Sequence, residues 1–346
     1  MSISTTTEPA ATTPDAGPSS SRAPYRRRHP IAWMILVRTA LGLITIFAVS
    51  VVIFLATKAL PGNAAYAVLG QSATPERVAA LEREMDLNHP MIGQYVSWVG
   101  GVLHGDFGTS LSNGQPVSTL VASRLGNSAA LVVVAGVVGT LFASALGLIA
   151  AARRDSWFDH ILSVIAFVVT ALPEFVVAIA LVIVFSVNVF HWFPAVSAIP
   201  PGDSPFSNVS MLVLPVATLT LVLFPYIFRM VRGAMIEAIE SDYAEMAELK
   251  GIPRWRILLV HAFPNSLPSV IQVIGLNLLY LAGGIVVVEY VFNYPGIGAL
   301  LVDAVSNRDI PTIQFIVLLL AVFYVFVNIA TDLVALLASP RSRAVR

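Results

Sequence analysis

The side chains able to do chemistry in this chain are a few carboxylates set among apolar residues, and one polar run. Glu174, Glu289, Asp303 and Asp332 lie in or beside long apolar segments, and Asp242 to Gly251 (DYAEMAELKG) is a polar stretch between two of them. A carboxylate in such surroundings attracts a cation, pairs with a base or holds a backbone turn, and it is costly unless it faces a cavity or a partner. The sequence contains no His-Glu-x-x-His, no Gly-x-Ser-x-Gly and no phosphate-binding Gly-x-x-x-x-Gly-Lys-[Ser/Thr]. Those patterns carry metal-assisted hydrolysis, acyl transfer and nucleotide binding. The residues therefore point to no catalytic centre, no metal site and no ATP chemistry of the chain's own. Cysteine is absent, which removes disulfides and thiolates without fixing a compartment.

The elements that must position these groups are apolar helices. Of 346 residues, 57% are hydrophobic and 12% charged, against about 25% charge in soluble domains. Zero net charge argues against a nucleic-acid partner. Residues 1–30 differ: Ser, Thr, Pro and Ala dominate, then Arg26, Arg27 and Arg28 follow. Such a segment buries too little apolar surface to offset its ordering entropy and reads as a disordered tail. A basic cluster before an apolar run also opens a signal peptide, but Ile31–Ala56 far exceeds a secretory core of about 7–15 residues. It reads as an uncleaved first transmembrane helix.

A bilayer core needs about 20 apolar residues per helix. Six segments qualify: Ile31–Ala56, Asn127–Ala152, Ile161–Phe190, Met211–Met230, Ser269–Phe292 and Ile313–Ala338. The expectation is an all-α integral membrane chain of six transmembrane helices over residues 31–346. A mostly polar region, 60–126, separates the first two spans, and 231–268 forms the largest connection on the opposite side. Lys and Arg are unevenly divided. Arg22, Arg26, Arg27, Arg28, Arg153, Arg154, Arg229, Arg232, Lys250, Arg254, Arg256, Arg341, Arg343 and Arg346 fall on one side; Lys58, Arg77, Arg83, Arg124 and Arg308 fall on the other. The positive-inside rule then puts both termini in the cytoplasm and 60–126 outside. Arg38 is placed to snorkel to the inner interface.

Within the cytoplasmic connection, Asp242 and Glu245 have capping-box spacing, and Gly251 suits the left-handed residue that ends a helix. Pro253 suits the first turn of a second helix, from Arg254 to about Phe263. Pro264 and Pro268 punctuate the return to the membrane. Two readings stand: a solvated, well-capped loop, or a stiff element docked on a partner. In the outer region, Thr74-Pro75-Glu76 is a helix start. A second helix is expected from Pro90 to Leu103, packed through Tyr95, Trp98 and Val99, and a third over Pro116–Leu125. These form a structural rim, a docking surface for an extracellular protein, or both.

Glu174 follows Pro173 near the middle of the third segment. It either faces a pathway and attracts a cationic group or is a hydrogen-bonded structural carboxyl. Glu289 reads as an anchor for the Pro295-Gly296 turn. Asp303 reads as a surface residue of the outer connection or of the first turn of the last helix. Asp332, near the inner end of the last span, is placed to pair with a cytoplasmic Arg. Gly283-Gly284, Pro173, Pro215 and Pro225 interrupt smooth spans, through kinks or close helix approach.

Several of these stretches resemble one family. Asp242-Tyr243-x-x-x-Ala247-x-x-Lys250-Gly251, nine residues, then His261-x-Phe263-Pro264 is similar to the cytoplasmic motif of ABC-importer permeases, in the form used by the di- and oligopeptide branch. Leu60-Pro61-Gly62, Gly105-Asp106-Phe107-Gly108-Thr109-Ser110, Glu289-x-Val291-Phe292-x-x-Pro295-Gly296-Ile297-Gly298 and the end from Asp332 to Pro340-Arg341 resemble further motifs of that branch, in order, from about Ile31 to Arg341. Asn63 stands where the family has Asp, Met246 and His261 replace commoner residues, and Glu245 and Glu248 stand where that branch usually has Arg.

The resemblance implies the type I importer fold and the role of first permease of a pair. It implies that Asp242, Tyr243, Glu245, Ala247, Glu248, Lys250 and Gly251 form a coupling helix docked on a cytoplasmic ATPase. Glu289, Pro295, Gly296 and Gly298 would be structural motif residues. The implied partners are a second homologous permease, two ABC ATPases that bind ATP and Mg, an extracellular substrate-binding protein and the lipid of a bacterial inner membrane. Di- and oligopeptides are the implied cargo, with nickel chelates, glutathione and oligosaccharides carried by relatives. A stand-alone secondary transporter or membrane enzyme is the competing class. It would need an inverted repeat and several intramembrane charges or a catalytic motif, and neither is evident.

Overall fold

Long apolar runs with few breakers become long helices. The computed structural model describes residues 30–59, 74–76, 90–200, 202–253, 256, 257, 260 and 263–338. The 1–29 tail, Leu60–Asn63, most of the outer helix begun at Pro75, most of the expected Arg254–Phe263 helix, His261 and Pro340-Arg341 lie outside the described residues. The helices are α1 (Pro30–Lys58), α2 (Met91–Leu103), α3 (Val117–Ala152), α4 (Trp157–Thr170), α5 (Glu174–Val182), α6 (Val209–Ile239), α7 (Asp242–Leu249), α8 (Phe263–Val291), α9 (Ile297–Ser306) and α10 (Ile310–Ala338). Among the described residues there is no strand, and Thr109 and Pro116 make an isolated antiparallel bridge.

Among the described residues, five helices are long and apolar enough to cross a membrane: Trp33–Lys58 of α1, α3, α6, Val270–Val291 of α8, and α10. The sixth crossing is a broken one. α4 and α5 meet at a bend of 108°, and six wider-wound residues, Ile183–Asn188, extend α5. The expected span Ile161–Phe190 is interrupted at Pro173, as expected, but by a sharp bend rather than a mild kink: Pro173 has no N–H to continue a helix and disfavours the helical region for Leu172.

Other boundaries move for similar local reasons. α3 runs 36 residues, absorbing the separate helix expected over Pro116–Leu125, because Gly126 alone does not stop a helix. α8 starts at Phe263, so Pro264 falls in its first turn, where a missing N–H costs little, and Pro268 falls in its second. An unexpected short helix, α9, carries Asp303, exposed in its second turn. α2 matches expectation, with the Tyr95 ring 5.4 Å from Phe54 and Trp98 stacked 6.0 Å from it; the Tyr95 hydroxyl lies 2.8 Å from Ser50 Oγ.

α6 is the centre of the bundle, enclosed by α3, α8, α4 and α5, while α10 packs on α8 and α1. Small residues permit the closest contact. Ala135, Gly139, Ala143, Gly147 and Ala151 recur every fourth residue on α3 and are buried. A Cβ at Gly147 would lie 2.9 Å from Phe228 O and 3.0 Å from Val231 Cβ on α6. In lipid, such close backbone approach replaces the hydrophobic drive that water would supply.

Pro215 and Pro225 lie inside α6. Pro215 cannot donate to Met211 O, four residues earlier. Ser197, fully buried in the α5–α6 connection, donates its hydroxyl to that oxygen at 2.5 Å. Ser197 N–H in turn donates to Phe292 O at 2.8 Å. The proline's lost bond is replaced from a neighbouring segment, as a water-free interior demands.

Candidate functional site

Two regions hold the chemically capable residues: α7 at the Arg-rich end of the bundle, and a polar-aromatic patch around Glu174. α7 begins one residue earlier than capping-box spacing predicts. Ser241 is the N-cap, in extended conformation, and makes no side-chain cap bond; its hydroxyl donates to Ala238 O at 2.6 Å. Asp242 and Glu245 instead occupy the first turn, where carboxylates favour the positive end of the helix dipole.

The other end of α7 follows the sequence. Gly251 has φ +76°. Its N–H donates to Glu248 O at 2.9 Å, and Ile252 N–H donates to Ala247 O at 3.1 Å. These paired bonds form a Schellman motif. The accompanying apolar contact is present too: Ala244 and Ala247 are buried with Ile257, and Ile252 packs against them. Ala244 and Ala247 thus face inward and tie α7 to the chain that follows. Asp242, Glu245, Glu248 and Lys250 are exposed, as are Met246 at 57% and Leu249 at 77%. Met246 and Leu249 are three residues apart, so they share one face, an apolar strip rimmed by carboxylates. The expected docking set omitted both, although their types and spacing were readable.

α7 is joined to the bundle through α6. Arg232 on α6 grips Asp159 on α4 with two bonds, Nε to Oδ1 at 2.5 Å and Nη2 to Oδ2 at 2.7 Å. Asp159 is 1% exposed and also accepts from Asp155 N–H at 3.1 Å. Ser156 caps α4, its hydroxyl accepting from Asp159 N–H at 3.3 Å. Ser156-x-x-Asp159 is a capping-box signal that reading for mid-span charges passes over. Nearby, Arg154 pairs with Glu240 at the end of α6. Asp332 on α10 pairs with Arg38 on α1, Nε to Oδ2 at 2.7 Å, so Arg38 has a protein partner rather than simply reaching the interface.

Glu174 opens α5 at the 108° break and is half-buried. It lies against α8: its Oε1 is 3.3 Å from where a Cβ on Gly284 would sit. The Tyr280 phenol, one turn along α8 from Gly284, lies beside the Glu174 carboxylate. The Tyr280 and Tyr226 rings are 5.9 Å apart, and the Arg229 guanidinium lies 5.7 Å above Tyr226. Tyr226, Arg229, Met230, Asn277 and Tyr280 border an open cavity of about 650 Å³.

The far end of the bundle is held by two buried carboxylates. Glu289 on α8 is fully buried. It accepts from Ser128 Oγ at 2.5 Å, Gly298 N–H at 2.7 Å and Ala299 N–H at 3.2 Å. Ser128 Oγ accepts from Ile297 N–H at 2.8 Å. Gly296 and Gly298 are required by space: a Cβ on Gly296 would overlap the Glu289 carboxylate, and one on Gly298 would lie 2.6 Å from Val286 Cα. Pro295 O accepts from Asn127 Nδ2 at 2.9 Å, and Tyr294 donates its hydroxyl to Asn127 O at 2.9 Å. Burial raises the Tyr294 phenol above its ordinary value, so it remains a donor. Asp309 gathers Leu111 N–H at 3.0 Å and the hydroxyls of Ser110, Ser112 and Thr312. This pins the 108–116 loop to the start of α10. Among the described residues, no group of three or more His, Cys, Asp or Glu forms a metal-holding cluster.

Comparison with known proteins agrees with this architecture. The family model described as binding-protein-dependent transport system inner membrane component matches residues 143–344, and the model for its N-terminal part matches 32–132. A putative peptide transport system permease protein of Brucella abortus (strain 2308) is 37% identical over 310 residues, covering 90% of this chain and 98% of its own length. A probable peptide ABC transporter permease protein of Sinorhizobium fredii is 34% identical over 311 residues, covering 89% and 98%. The glutathione transport system permease protein of Escherichia coli (strain K12) is 32% identical over 309 residues, with the same coverage of 89% and 98%.

Proposed function

This chain belongs to the family of binding-protein-dependent transport system inner membrane components, and we propose that it is one of two permease subunits of an ATP-driven importer of short peptides. The family is one of transport permeases rather than catalytic enzymes, and the chain is a multi-pass membrane protein. The observation that carries the reading is α7: a short helix closed at its C-terminal end by the Gly251 turn, an apolar strip of Met246 and Leu249 turned outward, and the Asp159–Arg232 clamp behind it on α6.

In this reading the Arg-rich end faces the cytoplasm of a bacterial cell. Asp242, Glu245, Glu248 and Lys250 surround the docking contact, Tyr243 belongs to the same helix, and Ala247 and Gly251 keep it stiff. Each permease receives one ABC ATPase, and those two subunits bind ATP and Mg. Closure of the ATPases pushes on α7, and α6 carries that push into the centre of the bundle. The bundle then opens outward to accept a peptide from an extracellular binding protein. Peptide cargo is supported by the names of the Brucella and Sinorhizobium relatives. Glu174 would face the pathway and attract the amino end of the cargo.

Uptake of labelled peptides by cells lacking this chain tests the reading, with glutathione, nickel and cello-oligosaccharide uptake as controls. Loss of peptide uptake is expected. Normal peptide uptake with lost uptake of a control would overturn the substrate class. The Escherichia coli relative makes glutathione the first alternative.

A further inference from the structure

We infer that Glu174, Tyr280, Tyr226 and Arg229 form a two-ended subsite for a short zwitterionic peptide, with the amino end at Glu174 and the carboxyl end at Arg229. This rests on the peptide-importer reading and deepens it. Three elements build the subsite. α5 contributes Glu174, α6 contributes Tyr226 and Arg229, and α8 contributes Asn277 and Tyr280. Tyr226 and Arg229 are three residues apart, as are Asn277 and Tyr280, so each pair projects from one helix face.

The groups are ordered by charge: a carboxylate, two phenol rings, then a guanidinium. Glu174 contacts Tyr280, the rings lie 5.9 Å apart, and Arg229 stands 5.7 Å from the second ring. The path from the first ring to the guanidinium is therefore at most about 12 Å, the reach of roughly three or four extended residues. The cavity, near 650 Å³, falls within the range of about 300–1,000 Å³ usual for small-ligand sites.

The unused hydrogen-bonding capacity is what separates this patch from structural packing. Arg229 gives Nε to Pro225 O at 3.0 Å, and its two terminal nitrogens have no bond to the described residues. Asn277 gives its amide N–H to Val273 O at 2.8 Å, leaving the carbonyl oxygen for a ligand N–H. By contrast, Glu289, Asp159 and Asp309 spend their oxygens on several protein donors. A guanidinium with free terminal donors suits a carboxylate, which it binds through two parallel N–H bonds. Exposed Tyr226 and Tyr280 offer flat, sequence-tolerant walls for side chains between the ends, and the missing Cβ of Gly284 leaves room for the Glu174 carboxylate against α8.

The test is uptake into proteoliposomes carrying the complete transporter. Three forms of one labelled tripeptide are compared: free, N-acetylated and C-amidated. Each rate is normalised to the peptide held by the binding protein, because that protein also reads peptide ends. Arg229→Gln is expected to slow the free and N-acetylated forms about tenfold, the worth of one charge-assisted hydrogen bond, and to leave the C-amidated form unchanged. Glu174→Gln is expected to slow the free and C-amidated forms and spare the N-acetylated one. Arg229→Lys should retain much of the preference. Assembly of each variant is read from co-purification of the subunits. Equal slowing of all three forms in assembled variants, or no slowing, overturns the two-ended subsite while leaving peptide import standing. A wild-type transporter that moves none of the three overturns the peptide reading, and the subsite with it.

Discussion

Glu289 on α8 caps α9 from across a chain reversal, accepting from the Gly298 backbone N–H at 2.7 Å. A helix start leaves several N–H groups without partners, and here a fully buried carboxylate from the preceding helix supplies the acceptor. Ser128 on α3 joins the same carboxylate to Ile297 N–H. Three helices are thereby fixed at one point. This is positioning chemistry, and no substrate needs to reach it.

Glu289→Ala strands the Ser128 hydroxyl and the N–H groups of Gly298 and Ala299 in a buried space. The expected loss is about 3 kcal/mol or more, from several unsatisfied buried donors. Gly296→Ala should destabilise as well, because its Cβ overlaps the carboxylate. Thermal unfolding of the purified complex reads both changes. Melting temperatures equal to wild type would show that the reversal does not depend on Glu289.

Ser197 matters because of Pro215. Its hydroxyl fills the bond to Met211 O that the proline cannot make. Ser197→Ala is expected to cost about 1–2 kcal/mol in the natural chain. In a Pro215→Ala background, α6 makes that bond itself, and the same change should cost much less. A double-mutant cycle checks this, and strictly additive effects would contradict it.

The Asp159–Arg232 clamp gives a different signature. Arg232→Ala leaves Asp159 buried without its partner, an expected loss of about 3–5 kcal/mol. Replacing both residues by apolar ones of similar size should cost less than that single change. Denaturant unfolding of the two variants decides it, and a double variant that loses as much stability as Arg232→Ala, or more, would refute the pairing.

Asp309 pins the 108–116 loop to α10. Asp309→Ala frees the Ser110 and Ser112 hydroxyls and Leu111 N–H together. The amides of that loop are expected to exchange with deuterium at least about tenfold faster, as a local opening that becomes easier by about 1.4 kcal/mol would allow. Unchanged exchange over 108–116 would mean that other contacts, such as the Phe107–Phe315 pair at 4.1 Å, hold the loop alone.

Much of this architecture is visible in the residues, in a patterned way. Five spans follow from apolar length, and the end of α7 follows from Gly251, because one residue type suits a positive φ. The Glu289 turn was also readable, since its partners lie only nine and ten residues away. What was not readable depends on distance along the chain. Ser110 and Asp309 are 199 residues apart, and Asp159 and Arg232 are 73 apart; nothing local announces either pair. Pro173 marks a break but not a 108° bend, whose angle is set by packing of α4 and α5 on α6. The cap of α7 moved from Asp242 to Ser241 because an N-cap is a backbone state, and adjacent Ser and Asp both suit it. The patch around Glu174 draws on α5, α6 and α8, so Arg229 and Tyr226 carry no local sign of belonging to it.

The central claim is that α7 transmits ATPase closure to the bundle, and Gly251 is where it is most exposed to test. Proline cannot adopt the φ of +76° found at Gly251, and it removes the N–H that bonds Glu248 O. The decisive measurement pairs peptide uptake with peptide-stimulated ATP hydrolysis, in proteoliposomes of the complete transporter carrying wild-type chain or Gly251→Pro. With subunits still co-purifying, both activities are expected to fall to background. Wild-type uptake and stimulation in the Gly251→Pro transporter would contradict the role assigned to α7.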